Sequence, residues 1–116
     1  MSARLASSVI VGGLLRKADA VGGFGAVLAK GDPTAGAVAV VLVERGGPPR
    51  ILERILQPDG TYLWQETRSQ TVDNIKESEK VPAFVARRRR FDPDLWVLEL
   101  DIPSAERFAA EMNGSD

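Results

Sequence analysis

Hydrophobic positions along this 116-residue chain change period several times, and each change marks a predicted element. From Leu5 to Val21 the apolar residues Ile10, Leu14, Ala18 and Val21 recur at helical spacing, which lines one face of a helix. Gly12 and Gly13 cost such a helix about 1 kcal/mol each against alanine. They point either to close approach of another backbone or to a later helix start. Gly22 and Gly23 supply a left-handed stop. Gly25–Lys30 then reads as a short strand, and Gly31-Asp-Pro-Thr-Ala-Gly36 as a turn in which proline presets φ and glycine permits positive φ. Ala37–Glu44 is apolar at almost every position, the pattern of a strand covered on both faces or nearly so. Pairing these two strands gives a hairpin.

Arg50–Gln57 carries Ile51, Leu52, Ile55 and Leu56 at helical spacing, but its short length between Pro49 and Pro58 favours a strand. Asp59-Gly60 is a hairpin turn signal, and Tyr62–Arg68 returns as an alternating strand with Tyr62 and Trp64 on one face. The simplest reading is a four-strand meander. Gln70–Lys80 is polar and begins as loop. A second helix is predicted from between Ser78 and Pro82 to about Arg89, with Val81, Phe84, Val85 and Arg88 as its inner stripe. Asp92-Pro93-Asp94 ends it, because proline pushes the preceding residue out of helical geometry. Leu95–Asp101 is a fifth strand with Trp96, Leu98 and Leu100 facing the core. Ser104 caps a short last helix in which Ala105, Phe108, Ala109 and Met112 share a face, and Asn113–Asp116 is expected to fray. The fold class is α+β: a mostly antiparallel sheet of about five strands, a four-strand meander plus a C-terminal strand, with two or three helices packed on one face. The chain reads as a single domain over residues 1–116.

Composition narrows the chemistry more than it narrows the fold. The apolar (44%) and charged (27%) fractions are those of a soluble globule, and a net charge of −1 gives no global attraction to nucleic acid or anionic membrane. Histidine and cysteine are both absent. Disulfides, Cys/His zinc sites and His-dependent nucleophilic schemes are thereby excluded. No catalytic residue, metal site or cofactor is expected, and the chain reads as a non-enzyme. Leu5–Leu15 after Arg4 imitates a secretory leader, but Ser7, Ser8, Gly12 and Gly13 dilute it and Arg16-Lys17 sit before the Ala18-Asp19-Ala20 cleavage-like site. The expected location is cytoplasmic, without membrane contact.

The stretch Arg87-Arg-Arg-Arg-Phe-Asp-Pro-Asp-Leu-Trp-Val-Leu-Glu-Leu100 resembles the signature of a bacterial family catalogued as domain of unknown function 1491. The likeness extends upstream to Leu14-Leu-Arg-Lys-Ala18 and to Lys30-Gly-Asp-Pro-Thr-Ala-Gly-Ala-Val38, covering roughly residues 4–101. Its most specific part is Phe91, Asp92, Pro93, Asp94 and Trp96, taken as a structural signature. The first helix lacks the aromatic residue expected near Ile10, and residues 102–116 look like an extension atypical of the family. The resemblance implies a small α+β bacterial protein and brings no assigned activity and no functional residues.

The remaining candidates are surface features. Arg87–Arg90 offer four consecutive cations for a polyanion. Against this, basic residues complement a helix C-terminus, successive helical positions point about 100° apart, and Asp92, Asp94, Glu99 and Asp101 match the charges. Pairing of Arg88 or Arg89 with Asp92 or Asp94 is expected, leaving Arg87, Arg89 and Arg90 as possible partner or anion contacts. A carboxylate cluster for a cation is the other use of those acids, although Asp92 and Asp94 flank a turn proline and have local bonding to do. Gly22-Gly-Phe-Gly25 and Gly31–Gly36 lack the strand–glycine–helix order of a phosphate loop. Tyr62 and Trp64 are either core or a contact surface. The preferred function is a non-catalytic protein-interaction or adaptor module, one version of which self-associates through an edge strand to form a homo-oligomer. The alternative is nucleic-acid binding through Arg87–Arg90 with stacking on Tyr62 or Trp64.

Overall fold

The computed structural model describes residues 5–67 and 76–114. Arg68, most of the predicted polar loop and the last two residues of the predicted frayed end fall outside them. Helix α1 (Ser7–Ala20) leads into strand β1 (Phe24–Ala29), followed by β2 (Val38–Glu44), β3 (Arg50–Leu56) and β4 (Tyr62–Glu66). After a 3-10 turn at Glu77–Glu79 come α2 (Lys80–Phe91), β5 (Trp96–Ile102) and α3 (Ala105–Met112). The strands form one five-stranded sheet in the order β1-β5-β2-β3-β4. Every pairing is antiparallel except β2 with β5, which is parallel.

The α+β class and the mostly antiparallel sheet are as the sequence predicts, but the meander is not. β1 and β2 never pair, because β5 lies between them. The reason is burial. On one face of β5, Trp96, Leu98, Leu100 and Ile102 are buried, and on the other Leu95, just before it, and Val97. Only a central position covers both faces. β1 is exposed from Phe24 to Leu28 and takes an edge. The Gly31–Gly36 turn is therefore a crossover past the start of β5 and not a hairpin.

The expectation of helices on one face also fails, for the same reason. α1 and α3 cover the face presenting Val40, Leu42, Leu98 and Leu100. On the opposite face Val81, Phe84 and Val85 of α2 pack on Ala39, Val41, Leu95 and Val97. Two apolar faces on β2 and β5 require two layers of helix.

Two turns hold the entry to β5. The Asp32 N–H donates to the Asp94 carbonyl at 3.0 Å, and Trp96 Nε1 donates to the Asp32 carbonyl at 2.7 Å. A side-chain carbon at Gly31 or Gly36 would overlap the Asp94 carbonyl oxygen. The Asp32 carboxylate accepts from the N–H groups of Thr34 (3.1 Å) and Ala35 (2.7 Å), fixing the turn. That turn in turn caps α1, whose N-cap residue Ala6 offers no side-chain acceptor. The Ser7 and Ser8 N–H groups donate to the carbonyls of Thr34 and Pro33, and buried Ser7 Oγ donates to Gly36 at 2.5 Å. Orphan donors at the helix start are thus satisfied from a distant loop.

Candidate functional site

The basic end of α2 splits into two pairs. Arg88 forms an ion pair with Glu53 of β3, whose other oxygen accepts from Thr67 Oγ1 at 2.5 Å. Arg89 Nη1 donates to the carbonyls of Lys30 (2.7 Å) and Leu95 (2.9 Å), clamping the crossover to the start of β5. Arg87 and Arg90 are exposed and make no ion pair with the described residues. The expected pairing with Asp92 or Asp94 does not occur. Helical side chains lean toward the helix N-terminus, so Arg88 reaches back over the sheet, away from the acids that follow it. Asp92 Oδ1 instead accepts from the Asp94 N–H at 3.2 Å, a local turn bond. Of the signature residues, Trp96 is buried, while Phe91 is 79% exposed. Glu99 and Asp101 lie on the sheet face opposite Trp96, half-buried and across from Ala26 and Phe24. Among the described residues no three acidic side chains gather around a possible cation position.

Tyr62 and Trp64 sit on the other side of the molecule. Trp64 packs against the core beneath α1 and α3, and strand alternation puts Tyr62 beside it. The arginines of α2 and these two aromatics are thus on opposite faces of the sheet and share no surface. Tyr62 and Trp64 do line a groove of about 900 Å3 between α1 and the β3–β4 hairpin. Within it the Arg54 guanidinium lies 3.9 Å from the centre of the Tyr62 ring. A neighbouring depression of about 520 Å3 shares Leu5, Ile10, Arg54 and Tyr62. At the α3 end, Lys17 Nζ pairs with Glu111 at 3.5 Å and stands 5.3 Å over the Phe108 ring. Arg54 escaped the sequence reading, yet its signal was present. The Asp59-Gly60 turn sets the β3–β4 register, which puts Arg54 opposite Trp64 on the same face as Leu52.

The two sheet edges differ. At β4, the Asn113 side chain imitates a ladder partner: its Oδ1 accepts from the Trp64 N–H (2.7 Å) and its Nδ2 donates to the Trp64 carbonyl (3.0 Å). At β1, no described residue hydrogen-bonds to the outer edge. Phe24 is 66% exposed, Val27 and Leu28 are exposed, and the strand contains no charge. A bulge between Val27 and Ala29 ends the regular run.

Compared with known proteins, the chain matches the profile of a protein family of unknown function, DUF1491, over residues 5–110. It belongs to the DUF1491 family. The match runs into α3. The DUF1491 fold recurs in a crystal structure of a family protein from Caulobacter crescentus CB15, with a TM-score of 0.76 and 33% identity over 90% of this chain and 94% of that one. An NMR structure of a DUF1491 family protein from the same organism gives a TM-score of 0.74 and 31% identity, covering 93% and 94%. The solution structure of a protein from A. tumefaciens gives 0.72 and 29%, covering 92% and 93%. No curated protein matches the sequence. Among the described residues of this DUF1491 chain, no helix is long and apolar enough to cross a membrane.

Proposed function

We propose that the protein is a non-catalytic cytoplasmic interaction module that pairs with a second copy of itself through the outer edge of β1. The observation that carries this reading is the contrast between the two edges of the sheet. β4 is blocked by an amide from α3's C-cap, while β1, an apolar and uncharged strand, offers backbone groups that no described residue pairs. Edge strands are normally protected by charge, proline or a covering segment, and β1 carries only the bulge at its far end. Antiparallel pairing of two identical edges is self-complementary and closes as a two-fold dimer. A sequence without histidine or cysteine supports a non-catalytic role, and the lack of cysteine suits a reducing compartment. Nucleic-acid binding by arginines and stacked aromatics together has less support, since the two groups lie on opposite sheet faces.

Sedimentation velocity over a concentration series tests this. The wild-type chain is expected to pass from monomer to dimer. Phe24→Lys with Ala26→Lys puts charge on the edge opposite Asp101 and Glu99, where the fold tolerates it, and is expected to give a monomer with an unchanged melting temperature. A wild-type chain that stays monomeric throughout, or a double variant that still dimerises, overturns the proposal.

A further inference from the structure

We infer that the groove between α1 and the β3–β4 hairpin is a docking site for an acidic, apolar peptide segment of a partner protein. Three independent features of the groove point to such an occupant. Its rim is apolar and wet: Leu5 is 60% exposed, Val9 51% and Leu56 53%. Its charge is one-sided. Arg54 lies at the end shared with Leu5, and Arg16 farther along α1, neither holding an ion pair with the described residues. Among the described residues the one acid in the lining, Glu111, is already taken by Lys17 and Arg107. A guanidinium stacked on a tyrosine ring, and holding no ion pair with the described residues, is preorganised for a carboxylate.

The third feature is a helix-interior glycine in the groove wall, Gly13, the second of a pair. Gly12 and Gly13 lie within α1 and have no positive φ. Among the described residues, a side-chain carbon at Gly13 would meet only Arg16 Nη2, at 4.0 Å, and one at Gly12 only the flexible guanidinium of Arg16, no nearer than 3.2 Å. Alanine meets no backbone of the described residues at either position and would strengthen the helix. Gly13 faces the groove, where it leaves the helix backbone bare. What glycine permits there is close approach by another backbone. A flat bilayer cannot reach Gly13 on the wall of a concave groove, and a small anion would leave the rim wet. A peptide with apolar side chains for the floor and carboxylates for Arg54 and Arg16 covers all three features.

A random-peptide display library panned against the full chain, followed by fluorescence anisotropy with the best synthetic binder, tests the inference. Enriched peptides are expected to combine Asp or Glu with Leu, Ile or Phe. Arg54→Glu should weaken the chosen peptide by about tenfold or more. Gly13→Leu should abolish binding. Gly13→Ala, which keeps the fold whatever Gly13→Leu does, should raise the melting temperature while weakening binding. The Phe24→Lys, Ala26→Lys variant should bind normally, because β1 is not part of the groove. No enrichment, enrichment of peptides without acids, or indifference to Arg54→Glu and Gly13→Ala overturns the inference. Loss of binding in the β1 variant assigns the peptide to the strand edge and also overturns it, leaving the dimer proposal to its own test. Binding of phosphatidylglycerol–phosphatidylcholine vesicles that depends on Arg54 would replace the peptide with a membrane surface.

Discussion

Arg88 takes a carboxylate from across the sheet in preference to the acids just downstream. Glu53 is the better partner because it is nearly buried, is already oriented by Thr67 Oγ1 and lies beneath the direction in which a helical side chain leans. Glu53→Gln should therefore destabilise the fold by about 1–2 kcal/mol, a figure reduced from that of a fully buried pair because Arg88 is partly exposed. Asp94→Asn, by contrast, should stay within about 0.5 kcal/mol. Urea denaturation of both variants checks the pair, and an equal loss in the two would mean that the arginine is held elsewhere. Counting charges along the sequence failed here because proximity in the chain says nothing of side-chain direction. The same limit hid Arg54, whose stacking on Tyr62 depends on a strand register fixed by a turn.

Among the elements, the crossover turn and the Asp92–Asp94 turn act as a unit. Both belong to the segments that carry the family resemblance, and they meet at the Asp94 carbonyl. Glycine is required there by contact, since a methyl at Gly31 or Gly36 would collide with backbone that has no room to yield. Gly31→Ala is expected to cost about 2–4 kcal/mol by thermal or chemical denaturation. A cost below about 0.5 kcal/mol would show that the turns are not packed as described. Much at this scale was legible in the sequence. The alternation of Trp96, Leu98 and Leu100, the Ser104 cap, the Gly22 helix stop and the strand between Pro49 and Pro58 all appear in the structure. The Gly31–Gly36 turn misled because its residues suit a tight reversal and a crossover equally well.

For the whole molecule, the decisive fact is that β5 is an interior strand, between β1 and β2, although it comes last among the strands. Its pairing with β1 joins Phe24 to Asp101, residues from opposite ends of the described chain. No local pattern encodes such a partnership. The continuous apolar run of β2 did signal two covered faces, and taken strictly it argued against helices on one side only. Native-state hydrogen exchange should find the slowest amides in Ala39–Leu42 and Val97–Leu100, with β1 and β4 exchanging earlier. Slowest exchange in β1 or β4 would contradict this hierarchy.

A sheet completed by its last strand has a kinetic consequence. Before residue 96 docks, β1 stands apart from the β2–β4 ribbon, and the chain shows four strand edges instead of two. The extra edges border the most apolar strands in the molecule, the kind of surface on which unrelated chains stick together. How quickly that gap is filled, more than how stable the finished sheet is, sets how long each newly made copy stays vulnerable.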